Sequence, residues 1–101
     1  VRGIVALMTQ TPSPEPNPRW SFDDERAYES ARNRIGAVIA AYSARIGAAE
    51  DAGDDAEADR LAEVSAQYEE LRRRLSPDDG GEIARINAEF PELLARVRAG
   101  Q

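Results

Sequence analysis

Apolar residues recur at three- and four-residue spacing through most of this chain. Tyr28, Ala31, Ile35, Val38, Ile39, Tyr42, Ile46 and Ala49 mark the first run, the period of an amphipathic helix. Ser21, followed by Phe22, Asp23, Asp24 and Glu25, reads as its start. The hydroxyl can accept the amide proton near Asp24, and three carboxylates then face the positive end of the helix dipole. No proline interrupts before Gly53. The pattern predicts one helix from about 22 to 51, about 45 Å long at 1.5 Å per residue.

Gly53 closes that helix, and Asp54 or Asp55 caps the next. Leu61, Val64, Tyr68, Leu71 and Leu75 then alternate three- and four-residue steps, the heptad seam of a coiled coil. So short a connection predicts an antiparallel pair. Ser76, Pro77, Asp78 and Asp79 repeat the start grammar, with a capping serine and proline at the first helical position. Gly80 and Gly81 weaken that turn and move the expected start toward Glu82. Ile83, Ile86 and Phe90 mark a buried stripe. Pro91 then predicts a break or sharp kink, with a short final helix carrying Leu93, Leu94 and Val97. No strand signal appears. The expected fold is all-α: a long antiparallel helical hairpin plus one or two short C-terminal helices, a three- to four-helix bundle.

The first twenty residues differ in kind. Pro12, Pro14, Pro16 and Pro18 fall on alternate positions, which removes backbone donors and favours extended geometry. Residues 1–20 are expected to be a disordered proline-rich arm ending at Trp20, and residues 21–101 the helical domain. The chain opens on Val1, which reads as a GTG start translated literally, or else Met8 is the true start. The opening residues lack the apolar core of about 7–15 residues and the cleavage site of a secretory signal. The expected location is the cytoplasm. The uncharged run from Ile35 to Ala44 lies between Arg34 and Arg45 and is too short for a membrane span of about 20 residues.

Composition removes most chemistry. The thirteen cations are all arginine, and the chain has no lysine, histidine or cysteine. Disulfides, Cys/His zinc sites, thiol nucleophiles, imidazole bases and Schiff-base lysines are excluded together. The acidic stretch from Asp51 to Asp59 fails the calcium-loop pattern, because neither register puts glycine sixth and glutamate twelfth. Asp24, Glu25 and Glu29 open the first helix, but no second carboxylate pair or histidine completes a metal or acid–base set. No catalytic, metal or cofactor-binding residue is assigned, and the expectation is a protein without enzymatic activity or cofactor.

Net charge is -6, and every segment after the arm is acidic. Arg72, Arg73 and Arg74 form the one basic cluster. Glu69 and Glu70 stand four residues before Arg73 and Arg74, the favoured orientation for helical ion pairs. Paired, solvated charge accounts for the cluster. The alternative is an accessory role in nucleic-acid transactions through Arg72–Arg74, with Arg96 and Arg98, against which the acidic balance argues.

One feature calls for a packing reason. Gly36, Ala40, Ser43 and Gly47 form a stripe of small residues beside the apolar face of the first helix. Each glycine inside a helix costs about 1 kcal/mol relative to alanine. Either the C-terminal helices cover the stripe, or it is a self-association face, or its small residues are neutral drift in an alanine-rich composition. About eighteen large apolar side chains follow Ser21, a thin core for a domain of this size. The expected function is a protein–protein interaction or self-association module with a protein partner or a homodimer. Its expected contacts are Gly36, Ala40, Ser43 and Gly47, with Trp20 as an anchor, and neither nucleic acid nor membrane is the expected partner.

Two stretches carry a family likeness. Trp20-Ser-Phe-Asp-Asp-Glu-Arg-Ala-Tyr28 and Ile83-Ala-Arg-Ile-Asn-Ala-Glu-Phe-Pro-Glu-Leu-Leu94 resemble short helical proteins of unassigned function from Streptomyces-type actinobacteria. The resemblance covers about a third of the chain and implies no activity and no site residues. The alanine- and arginine-rich, lysine-free composition agrees with a GC-rich genome. Small secreted helical hairpins of the WXG class share the hairpin layout, but their Trp-x-Gly turn is replaced here by Ala52-Gly53-Asp54.

Overall fold

The computed structural model describes residues 21–100. The proline-rich arm, Trp20 and the start-site question lie outside the described residues. Within them the protein is all-helical, with three helices and no strand: α1 over Phe22–Asp51, α2 over Asp55–Arg74 and α3 over Gly80–Arg98. No helix is long and apolar enough to cross a membrane among these residues.

Helix α1 begins where its sequence signal stands. The Ser21 hydroxyl accepts the Asp24 amide at 3.1 Å, and the Asp24 carboxylate accepts the Ser21 amide at 3.0 Å. This reciprocal capping box satisfies two amides that a helix start otherwise leaves open. Ser21→Ala is expected to remove about 1 kcal/mol of stability. Thermal unfolding checks it, since that loss lowers the midpoint by about 4–8 °C in a domain this small. Gly53 takes φ 74° in the turn after α1, a left-handed conformation that side chains with a Cβ resist. Asp54 then caps α2 by accepting the Glu57 amide at 3.2 Å.

Both α2 and α3 pack on α1. The Tyr28 hydroxyl donates to the Leu75 carbonyl at 3.4 Å, Arg32 donates to the Arg72 carbonyl at 3.3 Å, and Arg45 meets Glu57 at 3.6 Å. The first turns of α1 thus lie beside the last turns of α2, and the reverse holds at the other end. On α3, the Asn87 amide donates to the Ala27 carbonyl at 3.0 Å and its carbonyl oxygen accepts from Arg34 Nε at 3.1 Å. Ala31, Ile35, Val38 and Tyr42 of α1, Leu61 and Leu71 of α2, and Ile83, Ile86, Phe90 and Val97 of α3 form one buried core. Three rings tie it together. Tyr42 stacks on Tyr68 with centroids 5.8 Å apart, and Phe90 meets Tyr68 edge-on at 5.8 Å.

Two expectations about the C-terminal region need correction. Proline does not end the helix: α3 runs continuously from Gly80 to Arg98 with Pro91 inside it. An interior proline costs about 3 kcal/mol. Ile86, Phe90 and Val97 are all buried on one face of α3, at about 1.5–3 kcal/mol each. A break at Pro91 would detach Val97 from that face, so burial outweighs the local preference. There is accordingly one C-terminal helix of 19 residues among the described residues, where one or two short ones were expected.

The second correction concerns Ser76. It does not cap α3. Its amide bonds the Asp79 carboxylate at 3.0 Å and its hydroxyl accepts the Asp78 amide at 3.2 Å, so the start grammar builds a tight turn one step early. The helix then starts at Gly80, with Asp79 supplying its carbonyl to the Ile83 amide at 2.9 Å.

Candidate functional site

The small-residue stripe lies along α1 on a side that α3 leaves largely open. Ala40 and Ser43 are exposed, and Gly36 and Gly47 are half-buried. A Cβ added to Gly47 would meet nothing among the described residues within 4 Å. A Cβ added to Gly36 would meet the Arg72 guanidinium at 3.4 Å, in ordinary contact with the end of a flexible side chain. The expectation that the C-terminal helices cover the whole stripe is therefore not met. Ala40 lines a shallow hollow with Ala37, Ala41 and Arg98 near the end of α3, while Ser43 and Gly47 stay clear of it.

The two ends of this face differ in charge. Arg32 is exposed beside Arg72, to whose carbonyl it donates. At the other end Glu50 and Asp51 are exposed and close α1, and neither forms an ion pair among the described residues. Between Ile35 and Ala49 the only charge on α1 is Arg45, which is held against Glu57.

The basic cluster does not converge on one face. Successive residues of a helix are about 100° apart. Arg72 lies over Gly36, Arg73 pairs with Glu70, and Arg74 lines a groove on the α3 side. The pairing is at i,i+3 in place of the Glu69–Arg73 and Glu70–Arg74 pairs expected from the spacing. Arg96 reaches Glu92 at 3.7 Å, and Arg98 lines the hollow near Ala40.

Several carboxylates elsewhere are occupied by structure. Asp24 serves the capping box, Glu57 is held by Arg60 with two bonds of 2.8 Å, and Glu82 by Arg85. Their hydrogen bonds to Arg60 and Arg85 hold the Glu57 and Glu82 carboxyls below the usual carboxylate range. No group of three or more carboxylates placed to hold a metal occurs among the described residues. Burial raises the Tyr68 phenol above its ordinary value, which suits a floor residue of the core and supplies no base near neutral pH.

Sequence reasoning missed the polar clasp of Arg34 and Asn87. The two residues lie 53 positions apart, and each looks like solvated surface when read alone. Comparison of the chain with family models, curated proteins and solved structures finds no match.

Proposed function

We propose that this protein is a self-association module: a long α1–α2 antiparallel hairpin, with α3 as its C-terminal helix, that pairs with a second copy through the Gly36–Gly47 face of α1. The observation that carries the reading is Gly47. It stands inside a 30-residue helix at a cost of about 1 kcal/mol relative to alanine, yet no atom of the described residues needs the space. A second helix packed closely against α1 would need it, because small residues let two backbones approach.

The orientation follows from spacing and charge. Gly36, Ala40, Ser43 and Gly47 step by four, three and four, a pattern that reads the same in both directions. An antiparallel, two-fold pair sets Gly36 against Gly47 of the second copy and Ala40 against its Ser43. The same register brings Arg32 beside Glu50 of the second copy, twice per dimer. A parallel pair would place Arg32 near Arg32 and Glu50 near Glu50, which repel. The nucleic-acid alternative has no comparable support, since its arginines point in different directions.

Because the chain has no cysteine, single cysteines report the orientation. Arg32→Cys and Glu50→Cys proteins, mixed and mildly oxidised, are expected to form the mixed 32–50 disulfide in excess of either homodisulfide. Homodisulfides in excess would contradict the antiparallel arrangement, and the absence of any disulfide would contradict pairing through this face.

A further inference from the structure

The groove between α1 and α3 has features that neither the core nor the self-association face explains. Arg34 lines it, half-buried, with Nε bonded to Asn87, whose amide is in turn fixed to the Ala27 carbonyl. This clasp uses one nitrogen of the guanidinium. The two terminal nitrogens, which form the fork that matches a carboxylate, have no partner among the described residues. Arg26 lines the same groove two turns earlier, also without a partner there. Glu29 is the one acid on the wall, so the groove is net positive on a chain whose net charge is -6.

The opposite wall is apolar. It is formed by Pro91 and Leu94 over the edge of Phe90, facing Ala37. Pro91 has no N–H to give the Asn87 carbonyl, so the wall turns a ring toward the groove where a helix would ordinarily close a bond. The groove's volume is about 470 Å³, inside the range of small-ligand sites. A held guanidinium fork beside an apolar wall suits a ligand with one carboxylate and a short apolar chain or ring. A multiply charged phosphate would gain from the arginines but leave that wall unfilled.

We infer that the α1–α3 groove is a binding site for small apolar monocarboxylates, with Arg34 as the carboxylate-binding residue, oriented by Asn87, and Arg26 as a second cation. The groove lies on the α3 side of α1 and adjoins the Gly36–Gly47 face, since Ala37 lines both it and the hollow at Ala40, but none of Gly36, Ala40, Ser43 and Gly47 lines the groove itself.

Hexanoate and benzoate are the probes, titrated into the full chain while the arginine Nε–H and Leu94 methyl signals are followed by NMR. Both are expected to saturate, with Kd about 1 mM for ligands of this size. Acetate lacks the apolar part and hexylamine lacks the anion; neither is expected to saturate in the same range. Arg34→Gln is expected to weaken hexanoate binding about tenfold or more. That variant also loses the bond to Asn87, so Arg26→Gln, whose side chain bonds nothing among the described residues, provides an independent check and is expected to weaken binding severalfold. The inference is overturned if neither carboxylate saturates, if acetate or hexylamine binds equally well, or if both variants bind hexanoate like the parent.

Discussion

Phe90→Ala is expected to bring the protein to the edge of unfolding at room temperature. Phe90 is 3% exposed and meets Tyr68, which stacks on Tyr42, so one side chain links rings from all three helices. Truncating a buried phenylalanine costs about 3–5 kcal/mol. Eighty described residues at about 0.05–0.15 kcal/mol each give a total of about 4–12 kcal/mol. The loss is therefore a large part of the whole, and α3 would lose its main hold on α2. Chemical denaturation followed by circular dichroism checks this. A change below about 1 kcal/mol, typical of a surface substitution, would mean that the ring is not an anchor of the core.

Gly47→Leu is expected to do the opposite: leave the fold intact and abolish assembly. Nothing among the described residues lies within 4 Å of the added Cβ, and leucine is a better helix former than glycine. The monomer should therefore melt no lower than the parent's monomer. In the paired state the leucine would hold the two α1 backbones apart and remove the close contact of Gly47 with Gly36 of the second copy. Sedimentation of parent and variant at matched concentration reads the effect. A variant that still dimerises would take this face out of the account.

Ser21, with Asp24 three residues on, specifies a local event, and the structure contains it. Gly53, Asp54 and the Leu61–Leu75 seam are equally local, and α1 and α2 begin and end where those signals stand. Pro91 misleads because its cost is local and its compensation is not. The burial of Val97 seven residues after Phe90 depends on where α3 lies, which no short window contains. Ser76 misleads for a related reason, since a capping serine and a tight-turn serine make the same bonds to nearby amides.

The candidate face was half legible. Gly36 and Gly47 stand out in the sequence as glycines inside a helix, but which of them a neighbour would cover depends on the sides that α2 and α3 take. The structure sets Arg72 over Gly36 and leaves Gly47 open. The carboxylate groove was not legible at all, because it needs Arg34 and Asn87 brought together across two helices.

A second copy covering the open face of α1 makes the protein a dimer in solution. The most direct test is the solution mass of the full chain by light scattering over a tenfold range of concentration. The expected mass is twice that of the 11.1 kDa chain, falling toward the single-chain value only at the dilute end. A mass of one chain at every concentration would contradict it.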